Sequence, residues 1–125
     1  MNVTQVARIA HEVNRAYCES VGLGKRLPWD EVSPHDRDAA VMNVTAMARG
    51  FHTPESLHEA WCSEMALNGW AHGQSYSPRE KLHPMLLPYA ELPIEARLCD
   101  ALFLGVLRGA QMVAEPQAEA KSGAA

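Results

Sequence analysis

Apolar residues recur at three- and four-residue spacing through most of the chain, which predicts a set of amphipathic helices. The stripe of the first helix comprises Val3, Val6, Ile9, Ala10, Val13, Ala16, Tyr17 and Val21. Gly22 and Gly24 end this helix, because glycine readily takes the left-handed conformation found at helix C-termini. A flank of the same helix carries His11, Asn14 and Cys18, and we predict that these residues border its buried face.

Capping residues mark the starts of the next two helices. Ser33 and Thr53 are each followed by a proline, so each start has an N-cap side chain and a first-turn proline. This pattern predicts a second helix over about 34–49 and a third over about 54–67. Trp29 lies between the first and second helices, and we predict that its ring packs between helices.

The helical period disappears between the third helix and Pro93, where glycine, serine and proline are frequent. Within this segment, residues 70–73 and 85–88 are predicted to be extended and to pair as a short β ribbon. One helical turn is predicted around residues 78–81. An irregular segment of this length in a small domain tends to be functional or to be held by aromatic anchors.

The last helix begins after Leu92 and Pro93 and is predicted to continue toward Val113. The predicted fold is therefore mainly α: a small single domain, residues 1–115, with about four helices and a short β ribbon between the third and the last. Residues 116–125 have small or polar side chains, which predicts a flexible tail. We find no internal repeat.

Composition and charge narrow the class of protein. With 125 residues, of which 47% are hydrophobic and 21% charged, the chain fits one globular domain. Its net charge is -4 and its cations are scattered, which argues against nucleic-acid binding, because that requires several adjacent phosphates to be neutralised. The three cysteines are too far apart for a zinc knuckle, and no apolar run has the length of a signal peptide or membrane span. We therefore expect a cytoplasmic protein with no nucleic-acid or membrane partner.

Several short motifs resemble, in order and spacing, those of the ryanodine-receptor repeat, the RyR domain. They are His58-Glu59-x-Trp61, Gly69-Trp70-x-x-Gly73, Lys81-x-His83-Pro84, Leu87-Pro88-Tyr89 and Leu92-Pro93. The resemblance covers about residues 55–109. The first helix, within residues 1–24, looks like the additional N-terminal helix of small bacterial and phage members. The chain departs from the family pattern at His72, where an aromatic residue is usual.

The resemblance implies a mainly helical fold with a short ribbon, and a module that binds nucleotide-like molecules. In the channel members, the tryptophan of the HxxW motif faces the base, so the resemblance assigns base stacking to Trp61. The other candidate ligand-binding residues are His58, Trp70, Lys81, His83 and Tyr89, together with Asn14 and Tyr17 of the first helix. Because the channel repeats occur in pairs, we also expect a homodimer formed through the hydrophobic last helix.

A nucleotide needs a flat apolar partner for its base, hydrogen-bonding groups for the base edge and a cation for its phosphate. The segment that carries the motifs contains all three kinds of side chain. The alternative is that Trp61, Trp70 and Tyr89 only anchor the loop, in a protein-interaction or structural module that has no small ligand.

The histidines allow a metal site as a further alternative. His58 and Cys62 are four residues apart on the third helix, and His83 or His72 could complete a ligand set. We favour neutral histidines that donate to backbone carbonyls, and we expect no metal and no cofactor.

No nucleophile elbow, phosphate loop or spaced carboxylate pair is present in the sequence. We therefore expect a non-enzymatic module that senses or sequesters a signalling nucleotide, in a bacterium or a phage. The enzymatic alternative is the cleavage of a phosphodiester or cyclic nucleotide.

Overall fold

A computed structural model describes residues 1–50 and 52–112. It contains four α-helices and a two-stranded sheet, which confirms the predicted mainly helical fold. In chain order the elements are α1 (Val3–Val21), α2 (Pro34–Met47), α3 (Pro54–Leu67), β1 (Ala71–His72), β2 (Leu82–His83) and α4 (Ile94–Gly109). None of these helices has both the length and the apolar content that a membrane crossing requires.

The predicted starts of α2 and α3 are confirmed, and each depends on a side chain that satisfies free N–H groups of the first turn. The hydroxyl of Ser33 accepts from the N–H of Asp36 at 3.1 Å. Thr53 and Ser56 cap each other reciprocally at the start of α3. At the other end of α1, Gly22 has φ 77° and donates its N–H to the carbonyl of Cys18, as predicted for a glycine C-cap.

The core lies where α1 packs against α2 and α4. It is formed by Val6, Ala7, Trp29, Val44, Leu57, Leu104 and Leu107. The helices α1 and α4 run antiparallel, because Tyr17 near the end of α1 bonds to the carbonyl of Glu95 at the start of α4. Trp29 is 6% exposed within this core, which confirms the predicted packing between helices.

The buried face of α1 agrees only in part with the predicted stripe, of which Val6 and Ala10 are buried. On α1, Cys18 is fully buried while Ile9 and Val21 are exposed. Because α1 has neighbours on two sides, its interior face turns toward small residues such as Cys18 that allow close approach. On α3, the buried residues are Leu57 and His58.

The β ribbon follows α3, as predicted, but its second strand is not at residues 85–88. That prediction was wrong: β2 is Leu82–His83, and it pairs with β1 in parallel. The N–H of Gly73 donates to the carbonyl of His83 at 3.3 Å. The segment that follows β2 cannot extend the ladder, since its prolines lack N–H groups. Residues 78–81 form a turn, in which the N–H of Lys81 donates to the carbonyl of Pro78 at 3.3 Å, but the turn is not helical as predicted, because Lys81 has a positive φ of 57°.

The last helix begins directly after Pro93, as predicted, and ends at Gly109, earlier than predicted. Gln111 then has a positive φ of 58°, a left-handed conformation that does not continue a helix. Val113 and the predicted tail at 116–125 lie outside the described residues.

Two segments have the same local structure. Residues 27–29 and 87–89 each have the sequence Leu-Pro-aromatic, and each leads into a 3-10 turn, Trp29–Glu31 and Tyr89–Glu91. In both turns the glutamate N–H donates to the proline carbonyl at 2.9 Å. The longer helices α2 and α4 follow these turns. A local duplication is therefore present, contrary to our expectation of no internal repeat.

A histidine from the preceding helix holds each turn. Nε2 of His11 in α1 donates to the carbonyl of Leu27 at 2.7 Å, and Nε2 of His58 in α3 donates to the carbonyl of Leu87 at 2.7 Å. The chain thus contains two helix-turn-helix units, α1 with α2 and α3 with α4, and the ribbon is inserted in the second. The sequence hides this duplication because few side chains are shared between the units.

Candidate functional site

A cleft of about 810 Å³ is bordered by α1, α3, α4 and the segment around the ribbon. Its lining combines aromatic side chains, two cations and one carboxylate. A volume of this size is within the range of small-molecule sites. The other cavity described for the protein is shallower, about 210 Å³, and lies between α1 and α4.

Aromatic rings form one wall of the cleft. The rings of Trp70 and Tyr76 are parallel within 12°, with centroids 6.0 Å apart. His83 lies edge-on to Trp61 at 5.0 Å and to Tyr76 at 5.5 Å. Trp61 and Trp70 are only partly buried, so apolar ring surface remains available to a ligand.

His83 presents a hydrogen-bond donor at this wall. Its Nδ1 accepts from the backbone N–H of Met85 at 3.1 Å, so the neutral ring carries its proton on Nε2. Burial lowers the pKa of His83, and the charge of Arg26 lowers it further. The imidazole, which lines the cleft, is therefore neutral at neutral pH and carries its N–H on Nε2.

A carboxylate and a histidine meet at the α3 and α4 side of the cleft. Nδ1 of His58 lies 3.9 Å from Oδ2 of Asp100, beyond hydrogen-bonding distance. His58 is 5% exposed and its Nε2 proton is already donated to Leu87. Burial raises the pKa of Asp100 to about 6, and the nearby His58 lowers it only in part. Burial thus disfavours the ionised form of Asp100, and no lysine or arginine of the described residues lies within 4.0 Å of its carboxylate.

Two cations of the lining lie in the loop that follows α1. Lys25 and Arg26 both line the cleft and are exposed. Neither side chain forms an ion pair within the described part of the chain. Arg26 donates one guanidinium N–H to the carbonyl of Leu23 at 3.2 Å. Its other N–H groups and the Lys25 ammonium can bind an anionic group in the cleft.

Five of the sequence-predicted residues come together in this lining: Asn14, His58, Trp61, Trp70 and His83. Three others do not line it and instead donate to backbone carbonyls. These bonds join Lys81 Nζ to Asn68 at 2.8 Å, Tyr17 Oη to Glu95 at 2.6 Å and Tyr89 Oη to Arg97 at 3.4 Å. Their side chains connect structural elements.

Cys62 has the histidine neighbour that a thiol nucleophile needs, but not the right state. Its Sγ lies 3.3 Å from Nε2 of His58, whose proton is donated to Leu87. Burial raises the pKa of Cys62, whereas a nucleophilic thiolate requires a lowered pKa. Across residues 1–50 and 52–112, no group of three or more His, Cys, Asp or Glu side chains is placed to hold a metal ion.

The duplicated units provide an internal comparison for the site. The two histidines that hold the turns, His11 and His58, give a common reference. Three residues after them lie Asn14 in the first unit and Trp61 in the second. Counted from the two Leu-Pro-aromatic turns, Asp100 corresponds to Ala40. The helix-turn-helix scaffold therefore forms without an aromatic ring at the first position or a carboxylate at the second.

Sequence reasoning missed Lys25, Arg26, Tyr76 and Asp100 as cleft residues. Two signals could have indicated them. The cations lie in a short loop that also contains two glycines, a composition common in anion-binding loops. Asp100 is an isolated acid within the most hydrophobic helix of the chain.

The match to a protein-family model accords with these motifs. The model described as the RyR domain matches residues 33–102. It begins at the N-cap of α2, so it includes that helix as well as α3, the ribbon and part of α4. A search of curated proteins gave no match.

Proposed function

The chain belongs to the RyR domain family, and from this premise we propose that it binds a small nucleotide-like ligand in the cleft and does not convert it. The observation that carries the proposal is the combination, in one cleft, of a partly buried aromatic wall, including Trp61 and Trp70, with two cations, Lys25 and Arg26.

Each side of the cleft suits one part of a nucleotide. Stacking of a base on an aromatic ring contributes about 1 to 3 kcal/mol, and Trp61 and Trp70 offer such surfaces. Lys25 and Arg26 supply charge-assisted hydrogen bonds for a phosphate. Together these contributions are enough for roughly micromolar affinity, without the extended basic surface that a nucleic acid requires.

The test is titration calorimetry with mono-, di- and cyclic nucleotides. We expect Trp61→Ala to abolish or greatly weaken binding while the helical circular dichroism signal is retained. Tyr89→Phe is the matched aromatic control, since Tyr89 does not line the cleft, and it should bind as the unmodified protein does. If no nucleotide binds, or if Trp61→Ala binds equally well, the proposal is wrong.

In its cellular setting, such a module would sense or sequester a signalling nucleotide in the cytoplasm of a bacterium or of a phage-infected cell. The raised pKa of Cys62 supports binding without covalent catalysis. Incubation of the same nucleotides with the protein, followed by chromatography, should recover them unchanged. Any turnover that Trp61→Ala abolishes would favour the phosphodiester-cleaving alternative.

A second copy of the chain is the protein partner that we propose. One face of α4 is apolar and open, with Ile94 50% and Leu98 43% exposed. The strip continues onto α1, because Gly105 and Ile9 line the same shallow cavity. A two-fold axis beside α4 would bring two such strips together and remove both from water.

Analytical ultracentrifugation tests the dimer. Leu98→Glu places a charge in the strip and should give a monomer. Leu67→Glu is the control, because Leu67 is 83% exposed at the end of α3, away from the strip. A monomeric unmodified protein at micromolar concentration would contradict the dimer.

A further inference from the structure

We infer that the cleft is selective for guanine among the nucleobases, because the Asp100 carboxylate can accept both hydrogen-bond donors of the guanine edge. The inference rests on the proposed nucleotide binding and specifies the class of base. The hydrogen-bonding groups of the cleft would provide this selectivity, whereas stacking on Trp61 would accept any base.

Within residues 1–50 and 52–112, no group donates a hydrogen bond to the Asp100 carboxylate. Its nearest polar partner, Nδ1 of His58, is 3.9 Å away and carries no proton while Nε2 of the neutral ring donates to Leu87. The Asp100 side chain is 25% exposed, and its residue lines the cleft. The carboxylate therefore has unused acceptor capacity for donors of a ligand, and an ionised carboxylate can only accept.

Guanine presents two adjacent donors on one edge, the ring N1–H and the exocyclic amino group. A planar carboxylate can accept both in parallel, the geometry that makes bidentate pairs strong. Adenine instead offers one amino donor next to the N1 lone pair, which repels a carboxylate oxygen. Hypoxanthine retains only the N1–H, so it can form one of the two bonds.

Other groups of the lining complement the remaining edge of guanine. The Nε2–H of His83 is a donor suited to the O6 or N7 acceptors of guanine. The cation that should hold the phosphate, Arg26, also lines the cleft. The cleft therefore combines an acceptor group, a neutral donor and a cation, as a guanine nucleotide requires.

The duplicated unit indicates that Asp100 is not required by the scaffold. The corresponding residue of the first unit is Ala40, in the helix that follows the equivalent 3-10 turn. Burial of the carboxylate raises its pKa to about 6, so the ionised form costs folding free energy. A ligand that donates two hydrogen bonds would offset this cost.

The experiment is titration of GMP, IMP, AMP and XMP into the protein and into Asp100→Asn. For the unmodified protein we expect GMP to bind about 10- to 100-fold more tightly than AMP, because AMP cannot form the two hydrogen bonds to the charged carboxylate. IMP, which can form one of them, should have intermediate affinity. An asparagine amide has one acceptor and one donor, which match the N1–H and C2 carbonyl of xanthine. Asp100→Asn should therefore lose the preference for GMP and gain affinity for XMP.

Glu59→Gln is the control, because Glu59 is an exposed acid on α3 that does not line the cleft. It should keep the preference for GMP. If AMP binds as tightly as GMP, or if Asp100→Asn leaves the ratio of GMP to XMP affinity unchanged, the guanine inference is wrong. In that case, loss of nucleotide binding in Trp61→Ala would still support the proposed function. Absence of any nucleotide binding would overturn both.

Discussion

Asp100→Asn should make the protein more stable at neutral pH, although it removes a group that we place in the ligand site. Burial raises the pKa of this carboxyl from its ordinary 3.8 to about 6. The folded state therefore holds the proton more tightly than the unfolded state does. Ionisation on going to neutral pH costs stability, and an amide of nearly the same shape does not ionise.

The magnitude follows from the difference between the two pKa values. A difference of about 2 units corresponds to about 3 kcal/mol, since each unit is about 1.4 kcal/mol. Because the side chain is 25% exposed, we expect about 2 to 3 kcal/mol of stabilisation in Asp100→Asn above pH 7. Stability of the unmodified protein is unaffected by this group below its unfolded pKa and falls as the pH rises toward about 6. The advantage of the variant should therefore vanish near pH 4.

Urea unfolding, followed by tryptophan fluorescence between pH 4 and pH 8, measures this difference. Other groups also lie near Asp100: the imidazole of His58 and the thiols of Cys62 and Cys99. The difference between the pH profiles of the unmodified protein and of Asp100→Asn largely isolates the effect of ionising the Asp100 carboxyl. Glu59→Gln, which neutralises an exposed acid, should change stability by less than about 0.5 kcal/mol at every pH. An Asp100→Asn protein that is no more stable than the unmodified one at pH 7.5 would refute the reasoning.

Three further substitutions test the fold and the boundary of the cleft. Trp29→Ala should lower the free energy of unfolding by about 3 to 5 kcal/mol in urea titrations, because it empties a core position; a loss below about 1 kcal/mol would contradict that packing. Gly73→Ala should lower the free energy of unfolding by about 1 to 3 kcal/mol, since the added Cβ would meet Leu82 Cβ at 2.7 Å. Gly109→Ala is the control: its added Cβ meets no atom within 4 Å, so the free energy of unfolding should not fall measurably. Equal melting temperatures of these two variants would contradict the close approach. Lys81→Ala should cost less than about 1 kcal/mol and leave nucleotide affinity unchanged in calorimetry, because its ammonium is exposed and outside the cleft; lost affinity would contradict this placement.

Structural features that depend on residues close together in the sequence were predictable. Ser33 and Thr53 start their helices and Gly22 ends α1, because a cap depends on residues three or four positions away. The second strand was misplaced because residues 85–88 are more apolar than β2. Pairing there depends on free N–H and carbonyl groups opposite β1, which apolarity does not reveal.

The cleft was predictable in part. The motif residues Trp61 and Trp70 line it. Trp61 lies on α3 and Trp70 lies just before the ribbon, which follows α3 directly, so the two tryptophans stay close together. The cations could not be assigned by proximity in sequence. Lys81 is near the motif tryptophans yet donates to the carbonyl of Asn68, whereas Lys25 and Arg26 reach the cleft from the loop after α1. Such placement depends on how the helices pack.

The antiparallel packing of α1 and α4 also brings the two ends of the described helical structure together. Met1 and Ala110 line the same shallow cavity, and Tyr17 fixes the opposite ends of the same helix pair. A module with adjacent ends can be inserted into a surface loop of a larger host protein without forcing that loop apart. The same geometry favours circular permutation: a short linker could join the ends, and new ends could be opened between α2 and α3. In the permuted chain, the unit containing Trp61 and Asp100 would be synthesised first, and the folded protein should form the same cleft.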